Sequence, residues 1–186
     1  MVMERIAICT TNSGKVREFE RMLQMDLDPV QVDLEEIQAL NTESVCRRKA
    51  RAAYDEIGRA VLVDDTGFEL SALNGFPGAF VTWVLEAGGT ALLHRMLPPR
   101  VEPMAAAVTS IGFADSRGVH VFTGRIEGRV LPEPRGTNGF GFDEVFVPDG
   151  AELTFAEMSD TEKDALSPRG VALAALRSHL QGTGWS

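Results

Sequence analysis

Cysteine is scarce in this chain: Cys9 and Cys46 are the only two among 186 residues. Neither belongs to a CxxC pair or a Cys/His cluster, so a disulfide framework and a structural zinc site are both excluded as organising principles. Histidine is scarce too, with His94, His120 and His179 widely separated, and a Ser/His/Asp triad has no support. No apolar run approaches the ~18 residues of a membrane span, and the stretch after Met1 is too short for a secretory core. The expected location is therefore cytoplasmic. Positive charge is in deficit, 18 basic against 27 acidic side chains for a net charge of −9. That balance excludes a general nucleic-acid or anionic-membrane binder, whose affinity comes from a basic surface. A small anion remains compatible, because local cations and one metal ion can invert the field inside a cleft. Repeats and low-complexity segments are absent.

What is present reads as one α/β unit. Arg5 to Cys9 is a short β-type run that ends in the turn Thr10-Thr11-Asn12-Ser13-Gly14-Lys15, and Val16, Phe19, Met22 and Leu23 follow at helical spacing. Val30 to Leu34 alternates as a second strand, with Glu35 and Glu36 just beyond it. A helix over Thr42 to Ile57 places Val45, Cys46, Ala50 and Ala53 on one face and Lys49 near its boundary. Ala60 to Val63 reads as a buried strand that stops at Asp64-Asp65-Thr66-Gly67. Met104 to Val130 predicts two long strands joined at Asp115-Ser116-Arg117-Gly118, part of a second lobe. Ser159-Asp160-Thr161-Glu162 has the form of a capping box, and Ser167-Pro168 that of an N-cap followed by proline at the first helical position.

Several of these features suit phosphate chemistry. Thr10 to Lys15 would place backbone N–H groups and a lysine at a helix N-terminus, where an anion is favoured, although a solvated turn fits the same residues. Asp64 and Asp65 follow a buried strand, where α/β sheets place ligands, or else act as capping acids. Joined by Glu35 or Glu36, they would form a hard oxygen site of the kind Mg²⁺ uses. Taken singly, Lys49, Lys163 and Arg169 read as solvated charges. Phe140 and Phe142 around Gly141 suit either a flat base or the core.

In order along the chain, five segments resemble the inosine triphosphate pyrophosphatase family, which removes non-canonical purine nucleoside triphosphates. They are Thr10 to Lys15, Val63 to Phe68, Ala72 to Gly78, Gly139 to Asp143, and Thr154 to Ser159 with Glu162-Lys163. The stretch Ala79 to Leu85 is most similar to the eukaryotic and archaeal branch. The resemblance implies an elongated, two-lobed α/β fold: a central mixed sheet flanked by helices, one catalytic domain with its second lobe at roughly 75–130, and a nucleotide cleft between the lobes. It also implies a homodimer, with neither nucleic acid nor membrane as partner.

The implied activity is Mg²⁺-dependent cleavage between the α- and β-phosphates, with Lys15 and Asp65 catalytic. Thr10, Asn12, Lys15 and Lys49 would hold the triphosphate, and Asp65 and Glu36 the metal, Glu35 being one register away. Thr66 would touch the substrate, Phe140, Gly141, Phe142 and Asp143 would embrace the base, and Lys163 and Arg169 would complete the pocket. Two positions depart from the family pattern. Pro168 stands where a histidine is expected and Thr82 where a basic residue is expected, which leaves a shifted base preference as one alternative. A nucleotide-binding module without turnover is another.

Overall fold

The computed structural model describes residues 5–10, 12–35 and 37–185. Two parallel pairings start the sheet. The strand β1 (Ala7–Cys9) lies between β2 (Asp28–Val30) and β3 (Val61–Leu70), and all three run the same way. Beyond β3 every pairing is antiparallel: β3 with β5 (Met104–Asp115), β5 with β6 (Gly118–Val130), and β6 with β7 (Phe146–Pro148). A two-residue strand, β4 (Pro77–Gly78), joins the far end of β3. The result is a mixed seven-stranded sheet in the order β2-β1-β3-β5-β6-β7.

Helices cover both faces because the strand residues alternate. Ile6, Ile8, Leu62, Ile111 and Phe113 point to one face and bury against Val16 and Phe19 of α1 (Ser13–Leu23) and Leu173 and Leu176 of α6 (Pro168–Thr183). Each such fully buried side chain contributes about 1.5–3 kcal/mol. Ala7, Val61, Val63 and Ala114 point the other way, against Cys46, Ala50 and Ala53 of α2 (Thr42–Ile57). A third cluster lies along the remainder of the sheet, where Phe68, Phe142, Phe146 and Phe155 pack with Val81 of α3 (Val81–Gly88) and Leu93 of α4 (Thr90–Arg95). The hairpin β5–β6 serves all of these layers, since Ala105 and Ala107 belong to the third cluster while Ile111, Phe113 and Ala114 belong to the first two. Among the described residues no helix is long and apolar enough to cross a membrane.

The predicted helix over Thr42 to Ile57 is present with those bounds, capped by the Asn41 side chain. Both expected caps near the C-terminus also form, at α5 (Asp160–Leu166) and α6. Three expectations need correction. The second strand is shorter and earlier than Val30 to Leu34: after Val30, β1 has already ended at Cys9, so residues 31–35 continue without a ladder partner. The strand expected to stop at Val63 runs on to Leu70, because β5 pairs with it along its whole length. His120 and His179 are not scattered, for β6 and the end of α6 bring their rings to 4.4 Å.

That pair sits in an aromatic cluster with Phe113 and Phe122, and Trp185 stacks edge-on against Phe113. Burial, then the neighbouring His120 and Arg117, hold the His179 imidazole below its ordinary value of 6.5, with Asp115 opposing. A histidine so depressed binds its proton more readily in the unfolded chain, so its contribution is complete above about pH 6.5 and declines as pH falls below it. Melting temperatures measured from pH 8 to pH 5 are expected to fall on the acid side, and His179→Phe to flatten that slope. Equal slopes for both proteins would remove His179 as the source.

Candidate functional site

The edge of β3 that faces β1 is paired only at its two ends. Val61 and Leu62 pair with β1, and Phe68 and Glu69 pair with β4. Between them Val63, Asp64, Asp65, Thr66 and Gly67 have no strand partner on that side among the described residues. A cleft of about 400 Å³ opens at this gap. Alternation sends Asp64 and Thr66 toward α1 and α6, and Asp65 toward α2, so the two acids reach the cleft from opposite faces of one strand.

Asp64 is buried between two cations. Lys15 Nζ lies 2.9 Å from Asp64 Oδ2, and Arg169 Nη2 donates to the same oxygen at 3.3 Å. Burial alone would push the Asp64 carboxyl up, yet Lys15 and Arg169 together hold it below its usual range. Arg169 is only 5% exposed and donates from Nη1 to Glu18 Oε2 at 2.7 Å, with the Thr66 hydroxyl 3.5 Å from Nη2. Its Nε is buried without a hydrogen-bond partner among the described residues.

Local structure explains these placements. Asn12 caps α1 by accepting from the N–H groups of Gly14 and Lys15, which sets Lys15 in the first turn facing β3. Ser167 caps α6 and Pro168 occupies its first position, so Arg169 starts the helix that lies over the cleft. Gly124 of β6 makes this approach feasible, because a Cβ there would stand 2.0 Å from the Pro168 carbonyl oxygen.

The opposite end of the cleft is more apolar. Val81, Thr82 and Leu85 of α3 form one wall, and Phe140 to Asp143 form another. Asp143 accepts from the Phe140 N–H at 2.7 Å and from Lys163 Nζ at 2.6 Å, which folds the loop back on itself. Gly139 permits this turn: its φ is 77°, and a Cβ would meet Asp143 Oδ2 at 2.1 Å. Lys163 and Arg169 both stand over the Phe140 ring, at 5.0 and 5.5 Å.

A second cavity of about 370 Å³ adjoins the first, and Asn12, Lys15, Lys49 and Asp64 line both. It lies between the turn after β1 and the unpaired chain at 31–34, and Thr10 lines this part.

Of the residues singled out from sequence, Asn12, Lys15, Lys49, Asp65, Thr66, Phe140, Gly141, Phe142, Asp143, Lys163 and Arg169 all line the first cleft, and Thr10 the second. Glu36 lies outside the described residues. Lys163 and Arg169 are paired and largely buried, not the solvated charges they read as singly. Phe142 is mostly core, its ring 4.6 Å from Phe68, while Phe140 is 44% exposed at the cleft. Glu18 and Thr109 were not foreseen. Glu18 is three residues after Lys15, on the same helical face, and that spacing was the available signal. Thr109 sits opposite Thr66 on β5, their hydroxyls 3.3 Å apart, a register that sequence does not reveal.

The sequence and the fold have known counterparts. Inosine triphosphate pyrophosphatase 2 of Trypanosoma cruzi is 40% identical over 180 residues, covering 95% of this chain and 92% of that protein. The dITP/XTP pyrophosphatase of Hyperthermus butylicus is 37% identical over 182 residues, 96% of each chain. Among solved structures, the Ham1 protein of Staphylococcus aureus superposes with a TM-score of 0.84 at 27% identity, covering 97% of this chain and 100% of that one. The Ham1 family model matches residues 6–179, and the chain belongs to the Ham1 family.

Proposed function

We propose that this protein is a Mg²⁺-dependent hydrolase that cleaves inosine, deoxyinosine and xanthosine triphosphates between the α- and β-phosphates and so removes them from the nucleotide pool. The observation that carries this reading is the polarity of one cleft. Lys15, Lys49, Asp64 and Asp65 gather at the open edge of β3, and an exposed aromatic ring with two cations over it stands at the other end. A polyphosphate suits the first end and a flat base the second. The pyrophosphatase activities in the names of the relatives support the same reaction.

In this reading Asn12, Thr10, Lys15 and Lys49 hold the triphosphate. Asp65 positions the attacking water and takes its proton as the water oxygen bonds to the α-phosphorus. The bond from that phosphorus to the bridging oxygen breaks, and pyrophosphate leaves with the electron pair. Lys15 offsets the charge that develops on the phosphate oxygens. Thr66 touches the substrate, Phe140, Gly141, Phe142 and Asp143 enclose the base, and Lys163 and Arg169 complete the pocket.

Charge supports a metal requirement. The cations Lys15, Lys49, Lys163 and Arg169 are matched by the carboxylates Asp64, Asp65, Asp143 and Glu18, so the described site brings no net positive charge to a polyanion. No three Asp, Glu, His or Cys side chains among the described residues form a cage for a metal by themselves. Mg²⁺ does not need one, since it takes one or two carboxylates and completes its shell with water and phosphate oxygens. Asp65 fits that role, with Glu36 as the second carboxylate. When bound, the ion neutralises phosphate charge and polarises the α-phosphorus. A homodimer located in the cytoplasm belongs to the same reading.

Two measurements test it. Asp65→Asn is expected to lower turnover of inosine triphosphate by about a hundredfold or more while leaving the melting transition cooperative; release of orthophosphate by the unaltered enzyme would sink the assignment. Base preference is the separable half, because Thr82 and Pro168 stand at the base end and carry no charge. Turnover on a panel of purine triphosphates is expected to shift toward inosine and xanthosine in Pro168→His. An unchanged ranking would show that position 168 does not set selectivity.

A further inference from the structure

The second cavity, beyond the lysines, is larger than a pyrophosphate group requires. It exists because β1 and β2 diverge: after Cys9 the chain turns into α1, while after Val30 it continues unpaired through residue 34. Its volume of about 370 Å³ corresponds to roughly a dozen waters at about 30 Å³ each. Pyrophosphate, with nine heavy atoms at bonding distances, displaces about half that number. The wall beyond Lys15 and Lys49 is mixed, with apolar Val30, Val32 and Leu34 beside polar Thr10 and Gln31, and among the described residues it includes the acid Asp33 but no further cation.

Position along the substrate follows from the shared residues. With the base at Phe140 and the α-phosphorus beside Asp65, the chain of phosphates must pass Lys15 and Lys49, which line both cavities. The terminal phosphate then lies in the second cavity with space past it. That space is partly apolar and, among the described residues, offers a further anion no additional cation to pair with.

We propose that the enzyme also hydrolyses purine nucleoside triphosphates esterified on the γ-phosphate, with the ester group seated between the Thr10 turn and residues 30–34. The proposal rests on the triphosphate reading above and extends it to a second substrate class. The step is unchanged: water adds to the α-phosphorus, the bond to the bridging oxygen breaks, and the products are the nucleoside monophosphate and a monoesterified pyrophosphate. An ester removes one negative charge from the terminal phosphate, whereas a fourth phosphate adds to the charge, so the ester is the better fit.

The test compares inosine triphosphate, its γ-phenyl ester and inosine tetraphosphate with the full-length protein and excess Mg²⁺, following inosine monophosphate by chromatography and the other product by phosphorus NMR. The expected result is kcat/KM for the ester within about tenfold of inosine triphosphate, phenyl pyrophosphate as the co-product, and slower turnover of the tetraphosphate. Turnover of inosine triphosphate alone, with the ester neither cleaved nor competing, would overturn this proposal and leave the triphosphate reading standing. Cleavage of the ester at any bond other than α–β would also overturn it. If inosine triphosphate itself is not cleaved, both readings fall together.

Discussion

Everything at the site depends on β3 being shared by two unlike halves of the sheet. Its first two residues belong to the parallel half through β1, and its last residues are paired by β4, while β5 spans the whole strand on the other side. The five residues left between have no strand partner on that edge among the described residues, where in a closed sheet a neighbouring strand would lie. A strand of this kind is rigid, because one edge is fully laddered, and yet accessible, because the other is not. That combination lets two acids be held in fixed positions and still meet a ligand. Asp64 and Asp65 occupy the gap.

The gap would be costly if its acids were unpaired, since a buried carboxylate without partners is unstable in its charged form. Asp64 avoids this through Lys15 and Arg169, and Arg169 in turn is held by Glu18. The chain of four charges links α1, β3 and α6, three elements distant in sequence. Buried ion pairs often contribute little net stability over apolar packing. Their effect here is geometric: they fix where α1 and α6 stand relative to the strand, and so fix the cleft. The same pairing leaves the cleft near neutrality, which explains why a polyanionic ligand would need to bring a cation with it.

Local signals were legible in the sequence and long-range ones were not. The α2 helix, the α5 and α6 caps and the β5–β6 hairpin turn each depend on spacing within a few residues, and each is legible in residues such as Thr42 to Ile57, Ser159 to Glu162 and Ser167-Pro168. The end of β3 was misjudged because two adjacent acids ordinarily signal that a strand has finished. The ladder with β5, more than thirty residues away, overrides that signal. The candidate site residues came chiefly from a family resemblance carried by ordered motifs, since Lys163 and Arg169 looked singly like surface charges. Their burial depends on Asp143, Glu18 and Asp64, partners that spacing alone does not identify.

The two ends of the cleft are built from different parts of the chain. In the proposed reading the phosphate end draws on the turn before α1, on β3 and on α2, and the base end on α3, the loop at 139–143, and the starts of α5 and α6. Arg169 is the main bridge, with one nitrogen on Asp64 and its guanidinium over Phe140. Its neighbour Pro168 keeps the helix start intact, because proline at that position gives up only an N–H that the first turn leaves unpaired. On that reading a replacement at 168 or 82 would alter what the base meets, since neither residue belongs to the Lys15–Asp64–Arg169 pairing. Base choice and reaction type, in the proposed reading, draw on different residues joined through Arg169, and a departure from the family pattern at Pro168 or Thr82 bears first on the base.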